Sequence, residues 1–153
     1  PSVFEALIAK VRSGVDVVVA SRYLTSSSVT GVTDFRKLSS YCANKFFSIF
    51  FPIAGIRDYT SGYRALSGRC LLKLYDEYGP GIFQFPKYNF ICTSEILYKF
   101  TAVAKRFEEV PIVLNYEQKE TESKASTFKL ALGVVFLSWH LILNGLPNME
   151  GEC

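Results

Sequence analysis

The run Val15-Asp16-Val17-Val18-Val19-Ala20 most constrains what this chain can fold into. β-Branched residues favour extended backbone, and an apolar run with almost no alternation is the pattern of a strand covered on both faces. Such strands are typical of parallel sheets with helices packed on each side. The residues before it supply a helix. Phe4, Leu7, Ile8 and Val11 recur at i, i+3, i+4 and i+7 and so share one face. Gly14 stands at the position after a helix C-cap, where left-handed backbone is common. A helix, a short loop and an apolar strand make half of an α/β unit, so the expected fold class is α/β. Ligands in such sheets bind beyond the C-terminal ends of the strands, where Ser21-Arg22-Tyr23 lies.

Further along, residues 24–34 are rich in Ser, Thr and Gly and read as a mobile loop. A second helix is expected over Phe35–Phe51, with Phe35, Leu38, Cys42, Phe46, Ile49 and Phe50 facing inward and Pro52 closing it. A strand near Tyr63–Leu66, a short helix at about 69–76 and a Tyr-Gly-Pro-Gly turn at 78–81 follow. Thr93 is placed to cap a helix running to Val103, with Glu95 in its first turn, where an acid is favoured. Phe107–Leu114 reads as a strand, and Pro111 within it demands an edge or a bulge. Residues 115–126 form a polar loop. From Phe128 to Leu143 the chain is almost continuously apolar, broken by Lys129, Ser138 and His140.

Composition narrows the function classes. At 153 residues, 49% apolar and 20% charged, the chain can bury one domain core and does not have the make-up of a disordered segment. A net charge of +3 leaves no nucleic-acid footprint and favours an anionic partner only slightly. Cys42, Cys70, Cys92 and Cys153 form no C-x-x-C pair, and His140 is the only histidine, which argues against a zinc site. The wide spacing suits buried or incidental thiols in a reducing compartment. The chain opens at Pro1 without an initiator Met or a signal-peptide pattern, and reads as a piece of something longer.

Five places can carry chemistry. The segment Asp58-Tyr59-Thr60-Ser61-Gly62-Tyr63-Arg64 packs an acid, two hydroxyls, a glycine and an arginine between apolar regions. Gly62 allows a tight turn and close backbone approach, Thr60 and Ser61 can donate to phosphate or sugar oxygens, and Asp58 can accept from hydroxyls or pair with Arg64. A structural Asx-type turn with a salt bridge accounts for the same residues. Arg22, just past a strand end, can fork onto phosphate oxygens or pair with a nearby acid. Arg36 and Ser40 share a helix face, with Arg36 near the free amides of the first turn, a second candidate phosphate clamp or a solvated helix start. Glu95 can accept from a sugar hydroxyl or act as a base, or else favour the helix dipole. Ser123-Lys124 lies in a loop from which Lys can approach a diphosphate, or is ordinary surface. The apolar stretch 128–143, at about 16 residues, falls short of the roughly 20 that cross a bilayer, and Trp139 and Lys129 are residues of a membrane interface. A buried core or oligomer helix is the other reading.

The order of these segments resembles the polyprenol-phosphate sugar transferases, the dolichol-phosphate mannosyltransferase-like members of glycosyltransferase family 2. The matching residues are Asp16-Val17-Val18-Val19-Ala20-Ser21-Arg22-Tyr23, then Arg36-x-x-x-Ser40-x-x-Ala43-Asn44, then Asp58-Tyr59-Thr60-Ser61-Gly62-Tyr63-Arg64, followed by Glu95-Ile96-Leu97, Glu109-Val110-Pro111-Ile112 and Glu122-Ser123-Lys124. Each motif alone is weak; six in order over residues 1 to about 130 are specific.

The resemblance implies the C-terminal, acceptor-side portion of a GT-A fold over 1–125, an interfacial amphipathic helix over 126–147 and a tail over 148–153. It implies an inverting hexosyltransferase that moves a sugar from a nucleotide-sugar donor to a polyprenyl (dolichyl-type) phosphate, peripherally bound at the cytoplasmic face of a membrane, with homo-oligomers open. By resemblance, Asp58 and Glu95 line the cleft as catalytic groups, while Arg22, Ser123 and Lys124 face the donor diphosphate. Arg36, Ser40, Ser61 and Arg64 hold the acceptor phosphate. A divalent metal, Mg or Mn, is implied, held by an Asp-x-Asp motif expected before Pro1; none occurs in these residues, and none is expected to bind this chain alone, which is expected to be inactive without that half. Two departures stand in the phosphate-gripping loop: Gln118 where the family often has Arg, and Thr121 where it usually has Gly. A non-catalytic lipid-phosphate or membrane-binding module on the same scaffold is the alternative, and a soluble transferase of the same fold with another acceptor is a third.

Overall fold

A computed structural model describes residues 2–83 and 91–116. These residues form a mixed α/β fold with four α-helices and two small sheets. In chain order they are α1 (Val3–Arg12), β1 (Val17–Ser21), β2 (Ser28–Thr30), α2 (Asp34–Phe50), β3 (Arg64–Leu66), α3 (Gly68–Tyr78), a 3-10 turn (Gly79–Ile82), α4 (Ile91–Phe100), β4 (Phe107–Pro111) and β5 (Val113–Asn115). The expected 1–125 unit, 126–147 helix and 148–153 tail lie partly or wholly outside the described residues, as do Gln118, Thr121, Ser123 and Lys124.

The valine run forms β1 and is fully buried along its length. It is the middle strand of a three-stranded sheet, order β3-β1-β4, parallel to β4 and antiparallel to β3. Val18 and Ala20 pack with Leu7 of α1, Val110 and Ile112, whereas Val17 and Val19 pack into an aromatic cluster on the other face. That two-sided cover is why the run has no alternation. Ser2 caps α1 with a reciprocal capping box to Glu5. Gly14 follows the C-cap with φ +92°, as its position in the sequence predicts.

Asp16, just before β1, is a structural anchor. Its carboxylate accepts from Lys105 N (2.9 Å) and Arg106 N (3.3 Å) ahead of β4, and from Ser67 Oγ (3.3 Å) ahead of α3. Burial pushes its carboxyl upward, but these bonds outweigh that and hold it below its ordinary value.

Several sequence expectations are corrected. The loop over 24–34 contains β2, which exists only by pairing in parallel with β5, a partner some 85 residues away in the chain that local composition does not reveal. The single strand over Phe107–Leu114 is two strands in two sheets. The break is at Ile112, whose N–H donates to Ser21 O while its carbonyl accepts from Ser28 N. Pro111 closes β4, whose one ladder among the described residues is with β1, so the proline sits on an edge as expected. The helix near residue 93 already includes Ile91 and runs to Phe100, so Thr93 lies inside it and is not its cap, and Glu95 is not in its first turn.

The largest correction concerns α2. Phe35, Leu38, Cys42, Ile49 and Phe50 are exposed and Phe46 is only partly buried; the buried stripe is Ala43, Asn44 and Phe47. Phe47 stacks near Tyr59 (6.0 Å between centroids) and Tyr98 (5.8 Å), while Phe51 meets Tyr98 edge-on. A helix with apolar residues on two sides cannot be oriented from periodicity alone. The polar Asn44 fits the observed face: apart from Ser40 of its own helix, its partners among the described residues are Tyr23, Tyr59 and Thr60 on the inner side.

Candidate functional site

The site lies beyond the C-terminal end of β1, where the sheet rule places it. Asp58 is wholly buried and holds Arg22 through three bonds: Arg22 N to Oδ2 (3.0 Å), Nε to Oδ2 (2.8 Å) and Nη2 to Oδ1 (2.7 Å). Arg22 Nη2 also donates to Thr60 Oγ1 at 2.6 Å. Burial pulls the guanidinium pKa down, but the hydrogen bonds and charge of Asp58 reverse this and raise it. The Arg22 side chain keeps about a quarter of its exposure, and among the described residues its hydrogen bonds use N, Nε and Nη2 and leave Nη1 over.

From α2, Asn44 Nδ2 donates to Ser40 O (2.8 Å), Thr60 Oγ1 (2.9 Å) and Tyr23 OH (3.2 Å). Its Oδ1 accepts from Tyr59 N (2.7 Å) and Thr60 N (3.3 Å). The Tyr23 hydroxyl lies 3.2 Å from Ser40 Oγ, and the Arg22 guanidinium carbon sits 5.7 Å from the Tyr23 ring centroid. From β4, Glu109 Oε1 accepts from Arg57 N (2.8 Å) and Asp58 N (2.7 Å). Burial pushes the Glu109 carboxyl upward, and these amides and the Ser21 hydroxyl offset only part of that.

The Asp58–Arg64 segment therefore divides its tasks. Asp58 and Thr60 hold Arg22. Tyr59 is a core residue whose hydroxyl accepts from Ile53 N at 2.9 Å. Ser61 Oγ donates to Ala20 O at 2.7 Å and pins the segment to β1. Arg64 donates to the backbone carbonyls of Thr93 and Tyr59, while its buried Nε has no hydrogen-bond partner among the described residues. Burial lowers the Arg64 pKa to about 10. The partner of Asp58 is thus Arg22, not the nearer-in-sequence Arg64. Gly62 has ordinary backbone, and a Cβ there would meet the Thr93 methyl at 3.4 Å, so it does not supply a left-handed turn. Gly55 is the glycine that the local geometry requires: φ is +83° and a Cβ would lie 2.5 Å from Phe107 O.

The remaining predicted residues divide as follows. Ser40 joins the cluster through Tyr23 and Asn44. Arg36 is exposed on the same helix, one turn before Ser40. Glu95 is 2% exposed and pairs with Lys99 Nζ at 2.8 Å; that ammonium also donates to Ile82 O (2.7 Å) and lies 5.2 Å from the Tyr78 ring centroid. Ser123 and Lys124 lie outside the described residues. Sequence reasoning gave no role to Asn44 or Glu109 beyond their motifs. The face of α2 was hidden, so Asn44 carried no signal of its own; Glu109 is one of two adjacent acids in β4, Glu108 and Glu109, which strand alternation puts on opposite faces.

Among the described residues, no three His, Cys, Asp or Glu side chains group closely enough to hold a metal ion, and both Asp58 oxygens are committed to Arg22. The described residues do not fit a divalent metal. Cys42 and Cys70 are free thiols; Cys70 is in the core, and burial raises its pKa to about 11. No helix among the described residues is long and apolar enough to cross a membrane.

The fold and site thus define a mixed α/β domain with an acid-oriented arginine at a strand terminus. A scan against protein-family models and a search of curated proteins gave no match to this chain.

Proposed function

We propose that this chain is the acceptor side of an inverting glycosyltransferase of GT-A fold that moves a sugar from a nucleotide-sugar to a polyprenyl phosphate. The observation that carries the reading is Arg22, fixed by Asp58 and Thr60 beyond the end of β1, with Nη1 left over among the described residues and the guanidinium beside Tyr23, whose hydroxyl meets Ser40. That neighbourhood favours giving Arg22 to the acceptor phosphate rather than to the donor diphosphate that the resemblance implied. An arginine so oriented offers a directed N–H edge for a phosphate oxygen. Because Asp58 offsets its charge, attraction for an anion depends on a further cation, and Arg36, one turn from Ser40, is the candidate. The order of motifs in the sequence supports the same reading.

In the reaction, a phosphate oxygen of the lipid forms a bond to the anomeric carbon, and the bond from that carbon to the donor diphosphate breaks. The diphosphate leaves with the electron pair. The nucleophile is already an anion, so no proton need be removed, and these residues act by positioning it. Burial of Glu95 against Lys99 supports a structural part for that acid better than a base. No step is routed through a metal.

The direct test is titration of the protein with a short-chain polyprenyl phosphate in detergent micelles. Binding that weakens at least about tenfold in Arg22→Ala supports the reading. Binding that is unchanged in both Arg22→Ala and Arg36→Ala refutes it. Transfer is tested in the full-length protein with a panel of nucleotide-sugars; binding without transfer to any acceptor supports the non-catalytic lipid-phosphate module instead. Peripheral membrane attachment through 126–147 belongs to the same proposal. Vesicle flotation that is equal with and without those residues removes it.

A further inference from the structure

Four consecutive amides, those of residues 57–60, are taken up by only two side-chain oxygens. Glu109 Oε1 on β4 accepts from Arg57 N and Asp58 N at 2.8 and 2.7 Å. Asn44 Oδ1 on α2 accepts from Tyr59 N and Thr60 N at 2.7 and 3.3 Å. None of the four donates to a backbone carbonyl among the described residues. This stretch is a bend and turn with no helix or strand ladder of its own, and its amides are held by one residue of the sheet and one of the helix.

That path places the two groups that hold Arg22. Asp58 fixes Nε and Nη2, and Thr60 Oγ1 accepts from Nη2. Asn44 acts twice, since its Nδ2 also donates to Thr60 Oγ1 and to Tyr23 OH. Glu109 reaches Arg22 through the backbone of residues 57–58 and, on the strand side, through the hydroxyl of Ser21. We propose that Glu109 and Asn44 are positioning residues: together they clamp the 57–60 segment so that Asp58 and Thr60 present the Arg22 guanidinium to a phosphate. This rests on the reading of Arg22 as the phosphate contact and extends it to the residues that set its geometry. Neither residue need touch the ligand.

The chemistry predicts which replacements matter. Glu109→Gln keeps an acceptor oxygen for the two amides and removes the charge. Glu109→Ala removes the acceptor and leaves two N–H groups without a partner. The experiment compares the parent with Glu109→Ala, Glu109→Gln, Asn44→Ala and Arg22→Ala. It reads site-resolved amide hydrogen exchange and binding of short-chain polyprenyl phosphate in micelles. In Glu109→Ala, exchange at Arg57 and Asp58 is expected to rise at least about tenfold while β1 amides stay protected, and lipid binding to weaken about tenfold. Glu109→Gln is expected to restore both. Asn44→Ala is expected to do the same at Tyr59 and Thr60, which keeps the test open should Glu109→Ala not fold. Unchanged exchange at these amides, or faster exchange with parental lipid affinity while Arg22→Ala loses binding, overturns the clamp. If Arg22→Ala also binds as the parent does, the phosphate reading fails, and the exchange pattern still decides whether the clamp exists.

Discussion

Removing Asp58 tests the centre of the site by stability alone. Asp58 is fully buried and accepts three bonds from Arg22, at 3.0, 2.8 and 2.7 Å. In Asp58→Ala the guanidinium keeps one neutral acceptor, Thr60 Oγ1, and with 23% of its side-chain surface exposed it recovers part of its hydration. Breaking a buried pair from one side costs about 3–5 kcal/mol. The residual exposure of Arg22 points to the lower end, about 3 kcal/mol. Arg22→Ala strands the buried carboxylate at a similar cost of about 3 kcal/mol, since among the described residues it keeps the backbone N–H of residue 22 and a long 3.5 Å bond from the Thr60 hydroxyl. The double variant leaves neither charge, so its cost should be about 3–4 kcal/mol rather than the sum, a coupling of about 2–3 kcal/mol. Urea denaturation followed by circular dichroism measures all four corners of this cycle, provided the m-value is constant. Single costs that add to the double within about 0.5 kcal/mol would refute the argument, because the pair would then not be what holds the loop to the strand end.

Three further expectations follow from the fold. The Asp16 carboxyl has a lowered pKa in the fold, so its contribution is complete above the ordinary value of 3.8 and is lost as pH falls through the lower folded value. The stability gap between the parent and Asp16→Asn, measured by urea titration from about pH 6 to about pH 3, should therefore narrow on the acid side. Gly55→Ala places a Cβ 2.5 Å from Phe107 O at φ +83° and should cost about 1–3 kcal/mol in a thermal or urea melt; a neutral result would mean the 53–56 turn is not held against β4. Phe47→Ala should cost about 3–5 kcal/mol, whereas Leu38→Ser on the exposed side of α2 should stay within about 0.5 kcal/mol. The reverse ranking would restore the inward face expected from the sequence.

Much of the frame was legible in residues. The valine run, the capped helix before it and Gly14 specify their own conformations locally, because branching, capping and left-handed backbone act within a few residues. Arg22 at a strand terminus was recognisable for the same reason, once the strand was recognised. The partner of Asp58 was not. Arg64 is six residues away and Arg22 thirty-six, and the tertiary fold, through the antiparallel pairing of β3 with β1 and the hold of Glu109 and Asn44 on 57–60, makes the distant one adjacent. β2 was hidden because three residues, Ser28-Val29-Thr30, become a strand only when β5 lies beside them. The face of α2 was hidden because both of its sides carry apolar residues, so the hydrophobic pattern fits two orientations.

By itself, then, the sequence determined that an apolar strand with a helix before it ends in an arginine, and that a polar segment lies downstream in a set order. Only the tertiary structure decided what those groups do to one another. It joined Arg22 to Asp58, drew Asn44 and Glu109 onto the amides of 57–60, and committed Glu95 to Lys99. The physical reason is range: backbone preference acts between neighbours in the chain, whereas buried polar groups take whichever partner packing brings within hydrogen-bond distance, and no local pattern encodes that choice.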